Sequence, residues 1–364
     1  MLDFSSALYL GLQHPSRSLA PWDRLTAGVP AALGEPPATG RVAAALARLQ
    51  GCEAAVLARS TLHAFLDCFA VLDGPARPVL VDGGAYPIAG WGAAAAGARP
   101  AAFAHHDPAD LRRKLRRLPG SGRGPLVVAD GLCPGCGGVA PLDDYLELSR
   151  GHGGLLLVDD TQALGVLGRR QDAAIAGPYG AGGGGSLPWA GVAGSQVVCV
   201  ASLAKGFGVP LAVAAGGREL VGRLAALAPS RQHTSPPSAA DVAAATQALA
   251  VNRRVGDGLR RRLAGLVARL RRRLAEWGIV AIGGLFPVQH LPAMPSAVAV
   301  RLAGALADRG VRAVPQRHRC RPGATVTLLV TARHTPGDID RAAVVAADAL
   351  TAVHGWEGGH HAAG

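Results

Sequence analysis

Val197-Val-Cys-Val-Ala-Ser-Leu-Ala-Lys-Gly-Phe-Gly208 is the stretch on which the reading of this chain turns. An apolar run of strand character leads into Lys205, and Gly-Phe-Gly makes a turn after it. Lysine is almost absent elsewhere. Of the 37 basic residues only Lys114 and Lys205 are lysines. Lys114 sits in Leu111-Arg-Arg-Lys-Leu-Arg-Arg117, where any cation would serve. An amine on a strand-end loop can form a Schiff base with an aldehyde cofactor, and a guanidinium cannot. The plain alternative is a surface lysine at a strand end.

Outward from that stretch, apolar runs alternate with helical spacing. Ala54–Ala58, Pro78–Val81, Arg99–Phe103, Pro125–Ala129, Gly154–Val158 and Gln196–Ala201 read as strands. Continuous apolar strands separated by helices predict an α/β fold, its mostly parallel sheet covered on both faces. Functional residues then belong at strand C-terminal ends. Asp82, Asp130, Asp159 and Lys205 all fall there. Ser60-Thr61 caps a helix after a strand, a ready site for an anion.

From Ala239 the pattern changes to two helices, near 239–252 and 256–276. Strands follow near 278–282, 296–301, 311–315 and 325–331, then a last helix from Pro336. The expected division is an N-terminal segment 1–30, a large domain 31–252 and a smaller α+β domain 253–364. The tail 357–364 is expected to be disordered. Gly180-Ala-Gly-Gly-Gly-Gly-Ser186 reads as a flexible loop, an insertion or a lid. The arginines of the second long helix read as a solvated face.

The net charge of +12 is compatible with an anionic partner, but aromatic content is only 4%. No basic stretch is interleaved with aromatics for base stacking, which argues against nucleic acid. Among six cysteines only Cys133-Pro-Gly-Cys136 has ligand-like spacing. With no second pair or His-x-His beside it, no metal is expected. No signal peptide and no bilayer-length apolar run are found, so a cytoplasmic protein with reduced thiols is expected.

An aldehyde cofactor held by a lysine needs a buried carboxylate facing its pyridine nitrogen, a helix N-terminus and hydroxyls for its phosphate, and a flat face for its ring. Asp159 suits the first requirement. Ser60, Thr61 and Ser202 suit the second. As plain alternatives, Asp159 caps a turn, Ser60 caps its helix and Ser202 supports a loop.

The chain resembles the α-oxoamine synthase family of fold-type I pyridoxal-phosphate enzymes. The resemblance rests on Leu2-Asp-Phe-Ser-Ser6 with Tyr9-Leu-Gly-Leu12, on Leu157-Val-Asp-Asp-Thr-Gln-Ala-Leu-Gly-Val-Leu-Gly168, and on Ser202-Leu-Ala-Lys-Gly-Phe-Gly208. Thr234-Ser-Pro-Pro237 and Thr331-Ala-Arg-His-Thr335 add to it. It implies a seven-stranded large-domain sheet, with Lys205 as the Schiff-base lysine and Asp159 opposite the pyridine nitrogen. Ser202 and the Thr61-Leu62 backbone would hold the phosphate. His233 and Thr234 would reach the cofactor of a second subunit, which implies a homodimer with shared active sites. The implied substrates are an amino acid or amine and an acyl thioester of coenzyme A or a carrier protein.

Several positions depart from the family pattern. Gln162 stands where a histidine is usual; it can hold a hydrogen bond to the ring oxygen but cannot carry a proton. Tyr86 replaces a stacking histidine and can still stack. Ala7 and Thr325 or Thr327 stand where an asparagine and an arginine would clamp the substrate carboxylate, and none can form a bidentate clamp. Arg317, Arg319 and Arg321 lie near in the chain as substitutes, or form a solvated basic loop. These departures leave open an aminotransferase, lyase or decarboxylase of secondary metabolism. They also leave open a non-catalytic homologue, against which the retained Lys205 and Asp159 argue.

Overall fold

The computed structural model describes residues 1–118, 122–170 and 177–354. The tail 357–364 lies outside them. The chain divides into two units, the larger comprising Leu12–Cys133 and Val139–Asp257. The smaller gathers Met1–Gly11, Pro134–Gly138 and the chain from Gly258 onward.

Seven strands build the larger unit: β2 (Ala54–Ala58), β3 (Val79–Asp82), β4 (Pro100–Phe103), β5 (Leu126–Asp130), β6 (Leu155–Asp159), β7 (Val197–Ser202) and β8 (Ala212–Gly216). β1 (Leu2–Asp3) belongs to the smaller unit. Their order is β2-β8-β7-β6-β5-β3-β4. Every pairing is parallel except those of β8, which runs antiparallel to β2 and β7. β8 escapes the sequence reading because Ala212-Val-Ala-Ala-Gly216 lacks the branched and aromatic residues that mark strands. It is nonetheless buried throughout.

Alternate residues of these strands face opposite ways, so each strand feeds two cores. Leu126, Val128, Leu157, Val198 and Val200 pack with Phe65 and Phe69 of the helix Thr61–Val71. Val127, Ala129, Leu156, Val158 and Cys199 pack with Leu111, Tyr145 and Leu146 on the other side. The apolar runs were continuous because both faces are covered.

In the smaller unit, β11 (Val314–Arg317), β12 (Ala324–Leu329) and β9 (Val288–His290) form an antiparallel sheet. β1 pairs in parallel with β10 (Val311–Arg312). The thirty-residue N-terminal segment is therefore split, its first eleven residues being part of this unit. Phe4 is fully buried and stacks on His334 at 4.1 Å, and its carbonyl accepts the Leu329 N–H. His334 accepts the Thr331 N–H at Nδ1 and donates from Nε2 to the Asp3 carbonyl. The histidine of the Thr331–Thr335 motif thus ties the chain's beginning to its end. Phe4→Ala should cost about 3–5 kcal/mol of stability, the usual loss for a buried phenylalanine. A urea titration reads this as a lowered midpoint.

Three other expectations are corrected. One helix, Ala239–Ala275, replaces the two read from sequence. Gly256 and Gly258 each cost about 1 kcal/mol there, but buried Val242, Ala245 and Ala248 before them and Leu263, Val267 and Leu270 after them hold both halves. The supposed strand 296–301 is the start of a helix, Ser296–Asp308, its Ala and Leu spacing outweighing two valines. The arginines are not simply solvated: Arg260 is buried, Arg262 donates to the Ala332 and His334 carbonyls, and Arg269 is bidentate on Asp340.

Candidate active site

β5 and β6 end side by side, with Asp130 directly opposite Asp159 in the ladder. β7 lies on the far side of β6, with Val200 opposite Asp159, and carries the chain into Ser202 and then Lys205. Two carboxylates and one amine therefore meet at the C-terminal edge of a parallel sheet. They line a cavity of about 180 Å³. Thr61, Tyr86, Gln162 and Ser202 line it as well. So do Ile88 and Thr161, which the sequence reading did not select.

Glycines hold these ends in place. A Cβ on Gly206 would stand 2.4 Å from the Leu164 carbonyl, so only glycine lets the turn after Lys205 press against the turn after β6. His14 Nε2 donates to the Phe207 carbonyl (2.8 Å) and pins the same turn. The glycine-rich segment is not a flexible insertion. The Ser186 N–H donates to both carboxylate oxygens of Asp160 (3.0 and 3.1 Å), and the Gly182 N–H donates to Asp257. Gly185 has φ +96°, and a Cβ there would fall 1.7 Å from Asp160 Oδ2. The run is rich in glycine because it packs backbone against the strand end.

Burial pushes the Asp160 carboxyl up to about 7, against the Ser186 hydrogen bonds that lower it. The folded chain keeps that proton, and the unfolded chain releases it near 3.8. Stability from this group is thus lost as pH rises between those values and levels off above them. Asp160→Asn should flatten that part of the pH dependence of the urea midpoint.

Electrostatics inside the cavity follow from burial. Desolvation lowers the Lys205 pKa, although Asp159 and Asp130 pull it back up. A larger share of its amine is therefore neutral and nucleophilic at neutral pH. Desolvation raises Asp159, opposed by hydrogen bonds from Thr161, whose N–H reaches Oδ1 at 2.9 Å. Desolvation and the nearby Asp159 charge raise Asp130 well above the carboxylate range. Both Asp130 oxygens accept the Tyr86 N–H (3.1 Å each). The two buried acids therefore face one amine, with Asp159 the one that Thr161 and Lys205 pull toward its charged form.

The remaining predicted residues are placed as follows. The Ser60 hydroxyl caps its helix, accepting the His63 N–H and lying 2.8 Å from His63 Nδ1. Thr61 and Leu62 are in that helix's first turn, where N–H groups precede the helical ladder. The Ser202 N–H donates to the Thr161 hydroxyl, and Ser202 Oγ accepts the Ala204 N–H. Tyr86 is 55% exposed, which leaves it room to cover a ligand. His233 ends a short helix, and the Thr234 hydroxyl donates to the Ser230 carbonyl.

Ala7 and Arg317, Arg319 and Arg321 belong to the smaller unit. Arg317 and Arg319 are exposed, whereas the guanidinium nitrogens of Arg321 are buried. Thr325 and Thr327 are buried in β12 and pair with histidines: His318 Nε2 lies 2.8 Å from the Thr325 hydroxyl, and His290 Nδ1 2.9 Å from that of Thr327. Burial lowers the pKa of both rings, His290 to about 3 and His318 to about 4. The strand that should carry a clamping arginine carries a neutral Thr–His network instead.

No protein-family model matches the chain. The 8-amino-7-oxononanoate synthase of Halorhodospira halophila (strain DSM 244 / SL1) is 33% identical over 347 residues, 92% of this chain and 82% of that relative. That of Alkalilimnicola ehrlichii (strain ATCC BAA-1101 / DSM 17681 / MLHE-1) is 33% identical over 299 residues, 81% and 73% respectively. Among solved structures, Sphingomonas wittichii serine palmitoyltransferase has a TM-score of 0.83 at 21% identity, covering 96% of this chain and 87% of that one. The Francisella tularensis 8-amino-7-oxononanoate synthase has a TM-score of 0.75 at 17% identity, covering 96% and 98%.

The structural likenesses show the fold. The sequence relationships, with the lysine-bearing cavity, define a fold-type I pyridoxal-phosphate-dependent enzyme. The chain belongs to the α-oxoamine synthase family.

Proposed function

We propose that this enzyme joins the α-carbon of an amino acid or amine to the acyl group of a thioester, carried by coenzyme A or a carrier protein, and releases the free thiol. The observation that carries the reading is Lys205, one of two lysines in the chain, in a cavity with Asp159 and Asp130. Bound pyridoxal phosphate would supply an electron sink for charge developing at the substrate α-carbon.

The chain's own residues divide the remaining work. Lys205, its amine shifted toward the neutral form by burial, would hold the cofactor covalently and would accept the substrate α-proton at Nζ. Asp159 would keep a proton on the pyridine nitrogen by placing a negative charge beside it. Thr61 and Leu62 amides, with Ser202, would hold the phosphate at a helix N-terminus. Tyr86 would cover one face of the ring. Gln162 would donate a hydrogen bond to the ring oxygen and would transfer no proton. His233 and Thr234 serve the site of a second copy, so the active form is a homodimer. The compartment we assign is the cytoplasm, where the cysteines, none of them in a disulfide, would stay reduced. No helix among the described residues is long and apolar enough to cross a membrane.

The test follows free thiol while amino acids are paired with acyl thioesters on the cofactor-loaded protein. Substrate-dependent thiol release supports the reading; none with any pair counts against it. The neutral Thr325–His318 and Thr327–His290 pairs favour a second reading. With no guanidinium at those positions, the substrate can be an amine or an amino acid bound weakly by its carboxylate. A transaminase, lyase or decarboxylase would then fit. Mass spectrometry of the products separates these from acyl transfer.

A further inference from the structure

Asp130 and Asp159 end neighbouring strands opposite each other, and both are buried beside one amine. Alike in burial, they differ in what donates to them. Asp130 accepts the Tyr86 N–H, shared between its two oxygens at 3.1 Å each, and among the described residues no second donor reaches it. Asp159 accepts two bonds from one residue. The Thr161 N–H reaches Oδ1 at 2.9 Å, and the Thr161 hydroxyl donates to the same carboxylate. The oxygen of that hydroxyl accepts the Ser202 N–H at 3.0 Å, which leaves its one proton for Asp159. The Thr161 side chain thus bridges the ends of β6 and β7.

We propose that Thr161 is a positioning residue whose hydroxyl assigns the negative charge of the site to Asp159 in preference to Asp130. Its consequence for turnover rests on the function proposed above; its effect on the two acids does not. Hydrogen bonds to an ionised acceptor are stronger than those to a neutral one, so each donor at Asp159 favours its charged form. Two adjacent buried carboxylates repel, and the one better supplied with donors keeps the charge.

The other charges around the pair leave this preference intact. Lys205, on the loop after β7, attracts both acids. Asp82, at the end of β3, repels a charge on Asp130 and so works in the same direction as Thr161. Asp160, next to Asp159 in the chain, is driven up by burial to about 7 and is occupied by the Ser186 N–H. Any residue but proline would supply the backbone N–H at position 161; the hydroxyl is the part that depends on the side chain. Valine in its place would remove the donor to Asp159 and leave the Ser202 N–H without its acceptor. Serine would keep both bonds.

Carbon-13 resonances of the aspartate carboxyls, followed across pH in the full-length protein, test the proposal, with Asp159→Asn and Asp130→Asn giving the assignments. Before the protein is loaded with pyridoxal phosphate, Asp159 should release its proton at lower pH than Asp130. Thr161→Val should move the Asp159 titration upward by about one to two pH units, the worth of one hydrogen bond to a charged group. Thr161→Ser should restore it. In the loaded protein, Thr161→Val should lower kcat about tenfold to a hundredfold, again with recovery in the serine variant. If the valine variant fails to fold, the order of the two titrations in the unaltered protein still decides. Asp130 ionising first, or an Asp159 titration that valine leaves unmoved, would overturn the proposal. A displaced titration in a protein that releases no thiol would uphold this role for Thr161 and remove the proposed reaction alone.

Discussion

Lys205→Arg should abolish turnover, lowering kcat by at least about 10³-fold, while leaving the protein folded. The arginine variant is more informative than alanine because it keeps a positive charge facing Asp159 and Asp130. If Lys205 served only to balance those acids, as a buried ion-pair partner, the guanidinium would do so and activity would survive. If it bonds covalently to an aldehyde and accepts a proton, the guanidinium can do neither, being a poor nucleophile that stays protonated. The same variant should fail to develop the visible absorbance of lysine-bound cofactor. Borohydride treatment of the unaltered protein should place the trapped cofactor on the peptide containing Lys205. Weak residual binding of pyridoxal phosphate is expected in the variant, because the Thr61 helix terminus and Ser202 remain. An arginine variant within tenfold of the parent would remove the basis for the proposed function.

What the sequence revealed about this site depended on which residues were unusual for this composition. A lysine in an arginine-rich chain is legible; an aspartate at a strand end is legible once the strand is. Asp159 stood out because it follows Leu155-Leu-Leu-Val158 and precedes a recognisable turn. Asp130 ends an equally apolar strand, but its importance comes from the ladder that places it beside Asp159, and one sequence carries no signal for strand order. Thr161 was missed for a related reason. Its own N–H supports Asp159 locally, but its hydroxyl accepts the Ser202 N–H across two loops, a bond that exists only after β6 and β7 pair.

The fold was legible where strands were strongly apolar and obscure where alanine and glycine dominated. β8 is built of alanine, valine and glycine, and the chain between Gly180 and Ser186 is nearly all glycine. In both places small residues serve close packing: β8 between two neighbours, and the glycines against Asp160 and Leu49. Low propensity and flexibility were the natural readings of those compositions, and tertiary contact overrode them. The helix Ala239–Ala275 follows the same logic, with buried anchors on either side of its glycines.

Asp159→Asn should be the second most damaging change at this site, and Asp130→Asn much milder, although the two residues are neighbours on adjacent strands. Burial raises the Asp159 pKa on balance, while Thr161 and Lys205 pull it back toward the charged form. Its proposed work depends on that charge, and removing one partner of a buried ion pair costs about 3–5 kcal/mol. Borne entirely by the transition state, such a loss slows turnover about 10²- to 10³-fold or more. Asp130 is different. Burial and the neighbouring Asp159 charge both favour its neutral form, so it has less charge to lose. Asparagine, neutral as well, keeps an oxygen for the Tyr86 N–H. The expected effect on kcat is less than about tenfold, within the range of a single neutral hydrogen bond. Rates and cofactor absorbance measured for both variants across pH decide the matter. Equal losses would mean that the acids act as one unit sharing a proton. The opposite ranking would assign the pyridine partner to β5 instead of β6.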